Sequence, residues 1–279
     1  MSAATSRYAV PARPCLIATD LDGTLLRSDG SVSARTRRVL AAVEAAGVEV
    51  VFVTARPPRW LHDLVEVVGS HGIVIAANGA FIYDVRSRTV IRHHALEAPL
   101  VDALVKELRD AVPGIAFAAE RHTGAVMEPE YAAPRPQGVS TDAVILPIER
   151  RDDAPIGKLL AVQRHWDPDR FLDTVVRIVG DRANVAFSGA RGLAEINARG
   201  VTKAAALIRW SAERGVDPQQ VWAFGDMPND LPMLRWAGRA FAVANAHPDV
   251  LAVVDTVCRS NDDDGVADAL ETLLLSSGS

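Results

Sequence analysis

Cysteine is scarce in this chain. Two occur among 279 residues, Cys15 and Cys258, far apart and without CxxC spacing. That excludes a disulfide framework or a cysteine zinc site and fits a reducing compartment, so a cytoplasmic protein is expected. No apolar run approaches the roughly 18 residues of a membrane span. The opening MSAATSRYAVPARP lacks the apolar stretch of a signal peptide, and its first dozen residues are expected to form a loose tail. Positive charge is not in excess either. With 30 basic and 35 acidic residues the net charge is -5, which gives no support to a nucleic-acid or anionic-membrane partner. Also missing are GxxxxGK[ST], which disfavours a P-loop nucleotidase, and GxSxG, which disfavours a serine-hydrolase elbow. The seven histidines contain no HExxH, so His93–His94 reads as ordinary surface. Internal repeats and low-complexity tracts are absent.

What is present is an ordinary globular composition, 49% hydrophobic and 23% charged, on a chain long enough for one large domain or two smaller ones. Strand-like and helix-like segments alternate from the start. CLIATD reads as a strand. SARTRRVLAAVEAAG reads as a helix, with Ser33 at its N-cap and Gly47 at its stop. VEVVFVT is apolar and β-branched throughout, the pattern of a strand buried on both faces. PPRWLHDLVEVVG reads as a helix with prolines in its first turn, and GIVIAANG as a third strand. This order predicts a doubly wound parallel sheet, Rossmann-like.

From about residue 87 to 188 the character changes, with several prolines, exposed-looking strands and a helix near Ala98–Ala111. Here a separate α+β module is expected. The first pattern then resumes: VTKAAALIRWSAERG and NDLPMLRWAG as helices, VWAFGD and AFAVAN as strands, and GVADALETLLL as the last helix. The predicted organisation is a discontinuous α/β core, residues 1–86 and 189–279, interrupted by an inserted module at 87–188.

The carboxyl ends of parallel strands are where ligands bind in such sheets. The first predicted strand ends in Asp20 and Asp22, the second in Thr54, the third in Asn78, and VWAFGD in Asp226, followed by Asn229 and Asp230. Lys203 opens a helix. Four carboxylates at one edge repel one another unless a divalent cation neutralises them, and Mg²⁺ takes a few carboxylates together with water and substrate phosphate. Lys203 and the Thr54 hydroxyl suit phosphoryl oxygens, and one carboxylate can act as nucleophile while a second donates a proton. A DxD before glycine, or GDMPND, is by itself often a solvated turn. Four such matches in order at predicted strand ends make coincidence a poor account.

DLDGTLL, VFVTAR, GVTKAAAL and GDMPNDLPML resemble the four motifs of the haloacid dehalogenase superfamily of phosphatases. ANGA, LAEINARGVTK, AVANA and NDDDGVA resemble its Cof-type subgroup, in which an α/β cap is inserted after the third core strand. The resemblance is weak across the cap. It implies Asp20 as nucleophile, forming an aspartyl-phosphate, and Asp22 as acid and base. It also implies Mg²⁺ held by Asp20, the Asp22 backbone carbonyl and Asp226, with Asn229 and Asp230 completing or supporting that site, and Thr54 and Lys203 on the phosphoryl group. Ala55 and Ala204 stand where glycine is common, and Asn78 follows alanine rather than a polar residue. None of these removes a functional side chain.

Arg56 either contacts substrate or pairs with a nearby carboxylate. Asn78 and Asn245 are expected to position substrate, with loop capping by their amides as the alternative. Glu120, Arg121 and His122, read as following a strand, and Lys158, read as opening one, are weighed as cap contacts against plain solvation. Trp60, Trp210 and Trp236 read as packing residues. The expected function is a Mg²⁺-dependent phosphatase of small phosphomonoesters, sugar phosphates or related metabolites, acting as a monomer or small homo-oligomer. A phosphomannomutase-like phosphotransferase and an inert phosphometabolite-binding protein are the alternatives.

Overall fold

A computed structural model describes residues 13–61, 72–133, 143–187, 191–254 and 256–275. The N-terminal tail, most of the helix expected over residues 57–69 and part of the proline-rich stretch near 134–138 lie outside the described residues.

Two sheets organise the described residues. The larger has eight strands, and its centre is β1, Leu16–Thr19. On one side β1 pairs in parallel with β2, Glu49–Val53, which pairs with β3, Ile73–Ala76. On the other side it pairs in parallel with β12, Val221–Gly225, followed by β13, Arg239–Val243, and β14, Thr256–Cys258. Strand order therefore reverses at β1, which puts the ligand crevice at its carboxyl end. β1 is wholly buried and β2 nearly so, as their unbroken apolar runs require. Helix α1, Ala34–Ala45, follows β1; Ser33 caps it by accepting from the Thr36 amide at 2.9 Å, and Gly47 takes φ +81° after its end.

The larger sheet runs beyond β3. β4, Phe81–Asp84, and β5, Thr89–His93, extend it as antiparallel strands. The expected boundary at residue 87 therefore falls inside a core hairpin. The exposure pattern that suggested a separate module belongs to β5, the edge strand of the core sheet.

The second sheet has the order β10-β11-β9-β6-β7-β8. It comprises β6, Ala116–Arg121; β7, Gly124–Met127; β8, Ala143–Ile145; β9, Ile156–Val162; β10, Ala183–Ala186; and β11, Leu193–Ala198. Because β11 pairs with β9 and β10, the expected return to the core at residue 189 comes one strand too early. LAEIN is apolar and alternating, and sequence pattern alone does not say which sheet it joins.

Alternation sorts this sheet into two faces. Phe117, Ala119, Val126, Leu159, Ala161, Ala194 and Ile196 pack under α2, Ala98–Ala111, and α3, Pro168–Val179. Glu120, Met127, Lys158, Leu160, Leu193 and Glu195 take the opposite side and line the cavity facing the core. β6 and β9 are buried throughout, not exposed. The chain re-enters the core at α4, Lys203–Glu213, whose Thr202 cap accepts from Ala205, and the last described element is α5, Gly265–Leu275.

Candidate active site

Asp20 is the first residue beyond β1, and its amide bonds to the Phe224 carbonyl of β12 at 3.0 Å. The sheet itself thus delivers its carboxylate to the crevice. Lys203, at the start of α4, reaches Asp20 Oδ1 at 2.6 Å and Asp230 Oδ1 at 2.7 Å. Asp230 Oδ2 accepts from the Asp226 and Met227 amides at 3.1 and 3.0 Å, which folds the GDMPND turn around it. Thr24 donates to Asp226 Oδ1 at 2.9 Å. Asp20, Asp226, Asp230 and Lys203 are all buried.

Gly23 explains how the DLDGT turn can close on this cluster. It has φ +78°, and a Cβ there would stand 2.5 Å from Asp226 Oδ2. Only glycine meets both demands.

Charge in the cluster is unbalanced. Burial pushes the Asp20 carboxyl well above the ordinary carboxylate value; Lys203 pulls it down, and Asp230 and Asp226 add to the rise. Burial and Asp230 likewise push Asp226 up to about 6. Burial pulls Lys203 down, but Asp20 and Asp230 outweigh it, and the ammonium is held above the usual lysine range. One lysine thus faces three buried carboxylates whose ligand atoms lie within 4.8 Å of one another. A buried, unpartnered Asn229 Oδ1 belongs to the same turn. A hard oxygen donor set with surplus negative charge fits a divalent cation such as Mg²⁺.

The remaining predicted residues are placed as follows. Asp22 is half exposed and takes a bidentate pair from Arg56, Nε to Oδ2 at 2.8 Å and Nη2 to Oδ1 at 2.5 Å. Arg56 thus makes the carboxylate pairing. Thr54 is fully buried, and its hydroxyl accepts from the Arg56 amide at 3.1 Å. Asn78 is buried in a turn with φ +59°, and its amide meets Glu195 and Asn229. Asn245 uses both ends of its amide on loops, donating to the Gly23 carbonyl at 2.8 Å and accepting from the Asn261 amide at 3.0 Å. That is the loop-capping arrangement.

Between the two sheets lies a cavity of about 270 Å³ with Asp20, Asp22, Lys203 and Asn229 at one end. Met127, Leu160 and Leu193 form an apolar wall, and Trp60, half exposed, joins it rather than packing in a core. Two buried ion pairs border it. Arg59 holds Glu120 at 2.7 and 2.8 Å, and Lys158 reaches Glu195 at 3.2 Å and the Ala55 carbonyl at 2.7 Å. Glu120 and Lys158 are therefore buried strand residues, not parts of a solvated loop. Arg121 ends β6 and pairs with Asp152, while His122 stacks on His93 at 6.0 Å.

Sequence reasoning missed Arg59, Glu195 and Asn197. Arg59 sits in a stretch read as an ordinary helix start. Glu195 and Asn197 carried a signal in principle: they alternate with buried Ala194 and Ile196, so they mark the polar face of a buried strand.

Three comparisons bear on this geometry. Residues 17–270 match the family model described as haloacid dehalogenase-like hydrolase. YxeH of Bacillus subtilis (strain 168) is 28% identical over 93% of this chain and 98% of its own length. From the same organism, the 5-amino-6-(5-phospho-D-ribitylamino)uracil phosphatase YcsE is 27% identical over 93% and 96%. Among solved structures, BT1666 from Bacteroides thetaiotaomicron superposes with a TM-score of 0.79 at 24% identity, covering 98% of this chain and all of that one.

Proposed function

Because the chain belongs to the haloacid dehalogenase-like hydrolases, we propose that it is a Mg²⁺-dependent phosphatase acting on small phosphomonoesters through an aspartyl-phosphate on Asp20. The observation that carries this reading is the buried set Asp20–Lys203–Asp230 with Asp226, gathered at the carboxyl end of the central strand and facing a closed-in cavity.

In the proposed reaction an Asp20 oxygen attacks phosphorus as the ester oxygen departs. Asp22, at the solvent side of the cavity, protonates that leaving oxygen and later takes a proton from the water that opens the acyl phosphate. Lys203 already bonds one Asp20 oxygen, so its charge lies where the phosphoryl oxygens arrive. Thr54 would share in holding that group. Asp20, the Asp22 backbone carbonyl, Asp226, Asn229 and Asp230 would hold the cation, which supplies neutralisation of the transferring phosphoryl group.

Sugar phosphates and related phosphorylated metabolites, met in the cytoplasm, are the proposed substrates. A leaving group with some apolar surface suits the wall of Met127, Leu160 and Leu193. YcsE, which by name takes a phosphoribityl compound bearing a uracil ring, offers a precedent for such a leaving group.

Phosphate release from a panel of phosphorylated metabolites, with Mg²⁺ and with EDTA, tests the proposal. Turnover should need Mg²⁺ and should vanish in Asp20→Asn while the fold is retained. Full turnover in either EDTA or the Asp20→Asn variant refutes it.

A further inference from the structure

A line of polar side chains runs from the second sheet to the aspartate cluster. Lys158 of β9 donates to Glu195 Oε2 of β11 at 3.2 Å. The same oxygen accepts from Asn78 Nδ2, at the turn after β3. Asn78 Oδ1 in turn accepts from Asn229 Nδ2 at 3.4 Å. At the far end Asn229 Oδ1 is buried with no hydrogen-bond partner. Lys158, Glu195 and Asn78 are each at most 3% exposed, so the bonds from Lys158 and Asn78 to Glu195 are buried.

The chemistry of the donors fixes the direction of this line. A carboxylate can only accept, so Asn78 must turn its NH₂ toward Glu195. Its carbonyl oxygen then faces Asn229, which can answer only with its own NH₂. The Asn229 oxygen is therefore left over, inside the turn that carries Asp226 and Asp230. A buried carbonyl oxygen without a donor is unfavourable unless something takes it. Beside three carboxylates, the partner that suits an oxygen and not an NH₂ is a cation or the water it carries.

The backbone supports the same arrangement. Asn78 has φ +59° and follows Ala77 at φ +49°, two left-handed residues in succession. Asn197, two residues along β11 from Glu195, donates to the Ala77 carbonyl at 3.0 Å and so braces the turn from the second sheet. The Asn78 amide is held from both sides.

We infer that Glu195 is a positioning residue for the cation site: by accepting from Asn78 it sets the polarity of a two-amide relay that leaves Asn229 Oδ1 for the divalent ion. This inference rests on the cation reading of the aspartate cluster. It assigns to a cap-sheet strand a part in metal affinity, distinct from any contact with the leaving group.

Binding of the metal alone separates the two claims. Mn²⁺ is titrated by electron paramagnetic resonance and Mg²⁺ by calorimetry, without substrate. The paired variant Glu195→Met with Lys158→Met removes the acceptor together with the ammonium that pairs with it. Asn78→Gly cuts the relay at its middle while suiting the positive φ. Each should weaken metal binding about 10-fold, within the range seen when outer-shell partners of metal ligands are removed. The two combined should weaken it no further, because they act on one relay. Glu195→Gln, which keeps a carbonyl oxygen for Asn78, should stay within about threefold of wild type. Wild-type protein that binds neither ion overturns the cation reading itself. Wild-type binding that Asn78→Gly leaves unchanged overturns the relay alone, and because that variant removes no buried charge the test does not depend on the paired variant folding. A Glu195→Gln loss as large as that of the paired variant also overturns it.

Discussion

Replacing Asp226 by asparagine should make the metal-free protein more stable and leave it unable to respond to Mg²⁺. Burial and the neighbouring Asp230 raise Asp226 from 3.8 to about 6. The folded state therefore holds that proton more tightly than the unfolded chain does. The fold suffers no penalty at pH values below the unfolded value; the penalty grows as pH rises toward about 6 and is complete above it. At about 1.4 kcal/mol per pH unit of displacement, the full penalty is about 3 kcal/mol at neutral pH. Between pH 5 and pH 7.5 it grows by roughly 1.4 kcal/mol, which lowers the melting temperature by about 3 °C in a chain of this size. Asp20 is raised in the same direction and adds to the slope. Thermal unfolding in EDTA at several pH values is the assay. In Asp226→Asn the slope should shrink, and at pH 7.5 the melting temperature should rise on the order of 6 °C. Saturating Mg²⁺ should stabilise wild type by about 2.7 kcal/mol at 100 times its dissociation constant and leave the variant unmoved. A metal-free wild type whose stability does not fall from pH 5 to 7.5, with Asp226→Asn melting at the same temperature, refutes the reasoning.

Lys203→Met leaves Asp20 and Asp230 without their shared cation. Urea unfolding at pH 7.5 in EDTA should show a loss of about 3–5 kcal/mol, shrinking as pH falls because the raised Asp20 carboxyl takes up a proton more readily than an ordinary carboxylate. Gly23→Ala places a Cβ 2.5 Å from Asp226 Oδ2 at φ +78°. Backbone strain alone costs about 1–2 kcal/mol, and a Mn²⁺ titration should show a loss of metal affinity beyond what that strain explains. Arg59→Met strands Glu120 in the interior and should cost about 3–5 kcal/mol by denaturant, most of it recovered in Arg59→Met with Glu120→Leu.

The core was readable because its strands announce themselves. LIA and VVFV are uninterrupted apolar runs, each followed within two residues by a polar candidate, Asp20 or Thr54. Asp20, Thr54 and Asp226 therefore fall at the carboxyl ends of three neighbouring strands, and Lys203, which opens a helix, reaches Asp20 there. The limits of the insertion were not readable. β5 looks like a foreign module because it is an exposed edge, and β11 looks like core because its apolar alternation is the same in either sheet. Strand pairing is a long-range choice that local pattern does not encode. The ion pairs around the cavity were hidden for a related reason. Arg59 and Glu120 stand 61 residues apart, and their burial follows only once the two sheets face each other.

The central strand has a consequence for how the chain is made. β1 has one neighbour, β2, within a few dozen residues, but its other neighbour, β12, begins only at Val221. Asp20 meets Lys203 across 183 residues, and Thr24 meets Asp226 across 202. A chain emerging at roughly 5–20 residues per second therefore carries Asp20 for many seconds before its partners exist. The half-built sheet exposes one edge of β1 throughout that time, and closing it carries the entropy of a long loop. Completion of the reactive cluster and closure of the sheet are thus one late event, so a product truncated before Val221 lacks both.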